Sequence, residues 1–298
     1  MIETGVKVSE PGVYKIAPED YHAERIGVGP CLSRGIIRTL LFESPAKAWW
    51  NHPVLNPDYK PDHGEGRFDV GVCAHSLLLE GLDKAAVIDA SDWRTKEAKA
   101  AREKAWAEGK TPLLKDQYEE AKAMVLAAER QIIACQDLGI KNLPNDGDSE
   151  LTYVWEEDGI WLKARPDWIS KDRRLILDYK TTGLSANPMD VGRIIISTGL
   201  DIQDSFYRRA VKALEGLEPR FVFVFQETEP PYFCSFVELP EMVRIMGAQK
   251  AENGILLWRE CMSTGKWPAY PNKVVAVETP RWAVTDWEYR NERLGTEM

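Results

Sequence analysis

The chain has 298 residues and a formal net charge of −9, with 38 lysine and arginine residues against 47 aspartate and glutamate residues. Hydrophobic residues make up 44% of the sequence, enough for a packed interior, which excludes a predominantly disordered chain. No apolar run reaches the roughly 18 residues that a membrane helix needs, and the acidic balance argues against a broadly basic protein that coats nucleic acid.

The cysteines are five in number and never closely paired, at positions 31, 73, 135, 234 and 261. This spacing argues against a disulfide scaffold, a zinc ribbon and a cysteine-ligated iron–sulfur cluster. The first residues also lack a basic segment followed by an apolar one. We therefore expect a soluble protein of a reducing, cytoplasmic compartment.

The first half of the chain reads mainly as helices. Residues 1–30 contain three prolines and four glycines without a sustained period, which predicts an irregular N-terminal arm. Ser33 is a good N-cap for a helix that extends to Leu41. The patterns that follow are a loop over 51–67, an apolar helix over 68–80 with His75, a charged helix over 92–108, and an amphipathic helix from Asp116 to Cys135 that Gly139 closes.

From residue 151 the pattern changes to strands. Strands are expected over 151–155, 160–169 and 175–182, then a helix over 201–214 and an apolar strand over 220–226. The turn between the first two strands contains the Asp158-Gly159 step, a strong hairpin signal. The expected fold is α/β (α+β), with a central mixed sheet that includes an antiparallel three-stranded meander and is flanked by helices.

Two aspartates on the second and third strands carry the chemistry. Alternation along the third strand places Ile176, Asp178 and Lys180 on one face. A hairpin turn centred between residues 172 and 173 would place Asp167 directly opposite Asp178, with Cβ atoms roughly 4.5–5.5 Å apart.

Facing carboxylates in an apolar sheet repel each other, and a bound cation removes the conflict. Oxygen ligands on adjacent strands suit Mg²⁺ or Mn²⁺, and Lys180 would lie beside a metal-bound water that it could position or deprotonate. The alternative is an ordinary strand pair with solvated polar side chains. The preceding Pro166 and the apolar run that leads into Asp178 favour the metal site.

These residues resemble the motif of the PD-(D/E)XK nuclease superfamily, carried here by Pro166-Asp167 and Asp178-Tyr179-Lys180. The wider match is closer to the RecE-like exonuclease branch, and more distant from lambda exonuclease and the RecB nuclease domain. It covers roughly residues 31–283. Relatives with a C-terminal cysteine cluster for an iron–sulfur site differ from this chain, because Cys234 and Cys261 are not closely spaced in its sequence.

The resemblance implies a restriction-endonuclease-like core and a single RecE-like nuclease domain over residues 31–298, with its catalytic part at about 145–240. It also implies a Mg²⁺-dependent exonuclease that digests linear double-stranded DNA, most simply in the 5′-to-3′ direction, with Mn²⁺ as a substitute ion. The implied partners are DNA ends, a ring of identical subunits and a single-strand annealing protein, in phage-type recombination without a membrane.

The metal ligands implied by the resemblance are Asp167, Asp178, the Tyr179 backbone carbonyl and His75. Without the resemblance, a lone histidine on an apolar helix is more typical of a core residue. Glu150 stands where the family often has an acid, so it is either a ligand, an outer-shell group or structural.

DNA contacts are expected from a second set of residues. Gln203 and Tyr207 are one helical turn apart, and in the RecB-like group such a pair lines the active site. Ser33 and Arg34 lie at a helix N-terminus that could bind a phosphate, although a plain N-cap is equally compatible. Arg165 belongs to a segment, residues 163–180, in which basic residues outnumber acidic ones.

Two alternatives keep the same motif. One is an endonuclease or a single-strand-specific nuclease of the same fold. The other is a catalytically inactive DNA-binding module, which the intact set of Asp167, Asp178 and Lys180 disfavours because a retired site has no chemical need for it. A nucleotide-driven enzyme is improbable, since the sequence lacks a phosphate-binding Gly-Lys-Ser/Thr loop.

Overall fold

The computed structural model describes residues 7–60 and 69–296. Contacts divide the chain into a large compact unit, residues 1–267, and a small C-terminal unit, residues 268–298. Within the described ranges, no helix has the length and apolar character that crossing a membrane requires. All five cysteines are free thiols.

Eleven strands are found in the described part of the chain. In chain order they are β1 (Gly12–Tyr14), β2 (Leu32–Ser33), β3 (Ala85–Ile88), β4 (Thr111–Leu114), β5 (Gly147–Ser149), β6 (Thr152–Glu157), β7 (Ile160–Ala164), β8 (Trp168–Ser170), β9 (Leu175–Thr182), β10 (Arg220–Glu227) and β11 (Cys234–Val237). They form a five-stranded sheet of order β11-β10-β9-β8-β5, a four-stranded sheet of order β1-β6-β7-β2, and the pair β3-β4.

Eleven α-helices are found in the same described ranges. They are α1 (Pro18–His22), α2 (Arg34–Phe42), α3 (Pro45–Trp50), α4 (Asp69–His75), α5 (Lys96–Ala107), α6 (Lys115–Ala134), α7 (Leu143–Asp146), α8 (Pro188–Thr198), α9 (Leu200–Glu215), α10 (Glu241–Thr264) and α11 (Arg281–Thr296), the last of which lies in the C-terminal unit. The mixed α/β fold with helix-flanked sheets confirms the expected fold class.

The five-stranded sheet is buried on both faces. Strands β9 and β10 are parallel, and β8 and β11 flank them in antiparallel orientation. Phe221, Phe223 and Ile176 belong to one hydrophobic core, whereas Val222 and Leu177 belong to the other. A strand covered on both faces reads as a continuous apolar run, which is why β9 and β10 were easily predicted.

The second predicted strand, over residues 160–169, is interrupted. Its first part is β7 in the four-stranded sheet, and its last part is β8 in the five-stranded sheet. Pro166 lies at the interruption and has no backbone N–H to continue a ladder. The expected meander is therefore divided between two sheets. Asp167 lies at the crossing, the point where the chain passes from the four-stranded sheet to the five-stranded sheet.

The register between the second and third predicted strands, β8 and β9 in the structure, is the one expected from the sequence. Trp168 pairs with Leu177, and Ile169 pairs with Ile176. Continued by one residue, this antiparallel register places Asp167 opposite Asp178, as the turn predicted.

The N-terminal segment is more ordered than the irregular arm that its composition predicted. Strand β1 pairs antiparallel with β6, with Val13 opposite Tyr153. Val8 and Ile26 are buried in a small cluster that includes Val154 of β6. The pairing joins residues far apart in sequence, so no local period reveals it.

The remaining predicted helices are found with shifted ends. The charged helix is α5, the amphipathic helix is α6, and the helix over 201–214 is α9. The apolar helix over 68–80 is α4 followed by a π-helical turn, Ser76–Glu80. Residues 61–67 of the predicted loop and Phe68 lie outside the described residues.

Helices α9 and α10 are in close contact at Gly247. A Cβ atom at this position would lie 2.1 Å from the backbone oxygen of Asp201. We expect Gly247→Ala to lower the free energy of unfolding by about 1–3 kcal/mol, because a backbone oxygen cannot move aside. Urea unfolding of the full chain measures this change.

The matched control is Gly192→Ala in α8, where an added Cβ meets nothing within 4 Å. This variant should be stabilised by about 0.5–1 kcal/mol, because alanine favours a helix over glycine. Equal stability of the two variants would contradict the proposed close packing.

Candidate metal and nucleic-acid site

Three potential metal ligands converge beside the strand crossing. His75 ends α4, Glu150 follows β5, and Asp167 precedes β8. One ligand atom from each lies within 4.8 Å of the others. His75 Nε2 is 3.3 Å from Asp167 Oδ2 and 3.7 Å from Glu150 Oε1. An imidazole with two carboxylates is a donor set that divalent metals bind.

Glu150 reaches this cluster through an unusual backbone conformation. Its φ of 58° lies in the left-handed region, which a residue other than glycine adopts at an energetic cost. Its N–H donates to the Asp167 carbonyl oxygen at 3.2 Å. The structure therefore favours Glu150 as a member of the site, a point that the sequence left open.

Asp178 lies opposite Asp167 and is completely buried. Its carboxylate forms an ion pair with Lys180 and accepts a hydrogen bond from the Gln203 amide. The Lys180 ammonium is also 3.6 Å from Asp167 Oδ2. The lysine thus lies between the two facing carboxylates and neutralises part of their charge.

The ionisation of the site follows from these contacts. Burial and the charge of Asp167 together raise the pKa of Asp178 to about 6, against the opposing effect of Lys180. Burial also acts to raise the pKa of Asp167, but Lys180 and His75 outweigh it and hold that pKa well below its ordinary value.

The pKa values of the two basic groups, His75 and Lys180, are both raised by the neighbouring carboxylates. Burial acts to lower the pKa of His75, but the carboxylates of Asp167 and Glu150 raise it to about 9. Burial likewise opposes the charge of Lys180, yet Asp167 and Asp178 raise its pKa above the ordinary value. Both groups are therefore cationic at neutral pH, because the neighbouring carboxylates outweigh burial and the nearby positive charges.

Tyr179 contributes a backbone group to the site. Its N–H donates to Asp167 Oδ2 at 3.0 Å, which fixes the carboxylate against β9. Its side chain points to the other core and donates a hydrogen bond to Gln226. The metal-binding role of the Tyr179 carbonyl stays a prediction.

The predicted helix pair lies on α9 above the aspartates. Gln203 is 4% exposed and contacts Asp178 directly. Tyr207, one turn later, is partly buried against Phe221, with ring centroids 6.2 Å apart. Burial, together with charges that include Asp178, raises the pKa of Tyr207 well above its ordinary value.

Arg34 is a cation near the site with spare hydrogen-bonding capacity. Its Nε is buried and has no hydrogen-bond partner among the described residues. Its charge lowers the pKa of Asp178, so the guanidinium lies within electrostatic reach of that carboxylate. Ser33 precedes it as the N-cap of α2, but its side chain makes no capping hydrogen bond.

Arg165 differs from the predicted DNA contact. Its side chain is 6% exposed and forms an ion pair with Glu150. This burial places Arg165 as the partner of a site carboxylate, because the guanidinium is enclosed and already faces an acid.

A buried cluster behind Arg165 escaped the sequence analysis. It contains Lys163, Glu24 and Tyr21, with Lys163 only 3% exposed and ion-paired to Glu24. The sequence gives one indication of this cluster, because Lys163 interrupts an otherwise apolar strand and a buried charge needs a partner. The sequence offered no way to identify that partner in the N-terminal segment.

The two facing aspartates should differ in their effect on stability. Asp167 has a lowered pKa, so its charge stabilises the folded state above pH 4. Asp178 has a raised pKa, so its charge opposes folding as the pH rises above its unfolded value. We expect Asp167→Asn to lower the free energy of unfolding at pH 7 by about 2 kcal/mol, and Asp178→Asn by less than about 1 kcal/mol.

Urea unfolding in the presence of a chelator measures both variants under identical conditions. The two substitutions make the same change, a charged carboxylate to a neutral amide, at facing positions, so each serves as the control for the other. A larger loss for Asp178→Asn than for Asp167→Asn would contradict the electrostatic assignment.

Comparisons with known proteins concern the fold and the family of this chain. A search of curated proteins gives no match. The crystal structure of a Eubacterium rectale protein named "Putative exonuclease" is similar, with 13% identity, a TM-score of 0.60, and coverage of 91% of this chain and 98% of that chain. At this identity the similarity shows the fold alone.

A second structure, SSO0001, covers 71% of this chain and all of its own at 13% identity, but its TM-score of 0.27 carries no argument. The family model for a PDDEXK-like domain of unknown function, DUF3799, matches residues 52–280, which contain every residue of the three-ligand cluster together with Asp178 and Lys180. The chain belongs to this PDDEXK-like family.

Proposed function

We propose that the protein is a metal-dependent nuclease that hydrolyses phosphodiester bonds of DNA. The observation that carries the proposal is the register of β8 and β9, which sets Asp167 opposite Asp178 with Lys180 between them. A buried pair of carboxylates is costly to fold, so a functional need explains it better than stability does.

The proposed cofactor is Mg²⁺, with Mn²⁺ as a substitute. His75, Glu150 and Asp167 are close enough to share one ion, and Asp178 would join them when Lys180 moves from its carboxylate. A bound divalent ion supplies a Lewis acid for the charge on the phosphate and lowers the pKa of a coordinated water.

Lys180 is proposed to act on the attacking water and on the phosphate. Two carboxylates hold its ammonium at the site, where it can orient the attacking water and offset the charge that develops on the phosphate. Gln203 keeps Asp178 in place by donating to its carboxylate. These three side chains come from β9 and α9, two rigid elements.

Arg34 and Tyr207 are proposed to bind the substrate strand. Arg34 has a buried nitrogen for which the described residues provide no hydrogen-bond partner, and a guanidinium binds phosphate in a bidentate manner. Tyr207 lies on the same helix face as Gln203 and offers an aromatic surface for a base. Ser33 precedes Arg34 at the start of α2, where backbone N–H groups favour an anion.

The finer assignment is an exonuclease that digests linear double-stranded DNA in the 5′-to-3′ direction. The sequence motifs resemble the RecE-like branch, and the name of the Eubacterium rectale protein supports the same class. With this assignment we propose a cytoplasmic ring of identical subunits that acts with a single-strand annealing protein in phage-type recombination.

Substitution of the site residues tests the proposed activity. We expect Asp178→Ala and Lys180→Met each to reduce hydrolysis of end-labelled linear duplex in Mg²⁺ by about a thousandfold, since each removes a group that acts on the reacting atoms. Lys212→Met is the control, because Lys212 is 64% exposed at the C-terminal end of α9 and pairs with the exposed Glu218. It should retain activity within about twofold.

Substrate form separates the finer alternatives. An exonuclease degrades linear duplex and leaves covalently closed circles intact, whereas an endonuclease cuts both. Wild-type protein that cuts neither substrate, with the same result for Asp178→Ala, would favour a DNA-binding module.

The pH dependence of metal binding tests the state of His75. Its pKa is raised to about 9, so below that pH a proton occupies the nitrogen that a metal needs. We expect the affinity for Mn²⁺ to rise about tenfold per pH unit from pH 7 toward pH 9. Calorimetric titrations in buffers of different ionisation enthalpy measure both the affinity and the proton released.

His75→Gln is the control for this pH dependence. It should bind Mn²⁺ more weakly and lose most of the slope, because glutamine does not titrate. A wild-type affinity that stays constant over the same range would contradict the proposed ligation by His75.

A further inference from the structure

The ring of Tyr21 contacts two basic side chains at the end of β7. Lys163 Nζ lies 4.1 Å and Arg165 Cζ 5.3 Å from the ring centroid. The two residues are separated by one position, so they project toward the same side of the chain. Tyr21 itself is buried, at 9% exposure.

The position of this ring is fixed by its own backbone. Lys163 Nζ donates a hydrogen bond to the Tyr21 carbonyl oxygen at 2.5 Å and also pairs with Glu24. Glu24 is 7% exposed and has a φ of 56°, a left-handed conformation that is costly for this residue type. The surrounding contacts thus hold the segment in a conformation that it would not adopt alone.

Arg165 connects this cluster to the candidate metal site. Its guanidinium forms an ion pair with Glu150, whose other oxygen is 3.7 Å from His75 Nε2. Arg165 Nη1 is buried and has no hydrogen-bond acceptor in the described part of the chain. The aromatic face and the Glu150 carboxylate are therefore the groups that orient the guanidinium.

We propose that Tyr21 is a positioning residue that holds Arg165 and, through it, orients Glu150 for binding a divalent metal. This inference rests on the proposed function, because it concerns a ligand of the same metal. Arg165 lies over the face of the ring, so the ring rather than the hydroxyl carries the role. Cation–π contact with a desolvated guanidinium supplies the attraction.

The test is the affinity of the full-length protein for Mn²⁺, measured by titration without DNA. Tyr21→Leu should weaken binding about tenfold, the effect typical of losing a group that orients a metal ligand. Tyr21→Phe keeps the ring and should stay within about twofold of wild type. Unchanged affinity in Tyr21→Leu would overturn the inference.

Tyr14→Leu is the matched control. Tyr14 packs against the same small cluster, and its hydroxyl donates to the Glu10 carbonyl oxygen at 2.7 Å. The Tyr14→Leu variant should lose thermal stability but keep the wild-type affinity for Mn²⁺. A loss of affinity equal to that of Tyr21→Leu would show a general effect of packing and overturn the positioning role.

Transmission through Arg165 is tested with a double variant. Arg165→Met should weaken Mn²⁺ binding, and adding Tyr21→Leu to it should cause no further loss, because both act on Glu150 through one contact. Full additivity of the two losses would overturn this route.

If Tyr21→Leu does not fold, Arg165→Lys replaces it, since lysine lacks the planar group that stacks on the ring. Arg165→Lys is expected to lower the affinity about tenfold, and wild-type affinity would overturn the inference.

The outcomes separate this inference from the proposed function. If the wild-type protein binds Mn²⁺ and cleaves DNA while Tyr21→Leu binds equally well, only the positioning role fails. If the wild-type protein binds no Mn²⁺, the metal site itself fails and the positioning role with it.

Discussion

The structure depends on one electrostatic constraint, the placement of two carboxylates opposite each other beside an apolar sheet. Asp178 is fully buried and the Asp167 side chain is 16% exposed, and each would destabilise the other without a cation. In this structure the Lys180 ammonium supplies the positive charge. The same arrangement leaves His75 protonated, so the site is held by lysine and imidazole cations that a divalent ion would have to displace.

The fold produces this constraint through the crossing between its two sheets. Strand β7 ends in the four-stranded sheet, Pro166 prevents the ladder from continuing, and Asp167 enters the five-stranded sheet ahead of β8. Apolar cores on both faces of β9 fix its register against β8 and β10. A slip of one residue would turn the buried Asp178 carboxylate toward the apolar core on the other face of β9 and away from Gln203, so the register keeps the two aspartates opposite each other.

Local periodicity and turn chemistry determine how much could be predicted from the sequence. The alternation along β9 predicted that Asp178 and Lys180 share a face, and the short turn predicted the register with Asp167; both agree with the structure. The division of the meander and the ordered N-terminal segment were not predicted, because they depend on pairing between distant residues. Arg165 was expected to contact DNA, but its burial against Glu150 depends on the same long-range packing, which local charge counting cannot detect.

The central claim is that the facing carboxylates form a metal site, and anomalous diffraction from crystals soaked in Mn²⁺ tests it most directly. We expect one strong peak between Asp167, Glu150 and His75, about 2.0–2.4 Å from its ligand atoms, with the Lys180 ammonium moved away from Asp178. Crystals that show no peak there, while Lys180 remains paired with Asp178, would contradict it.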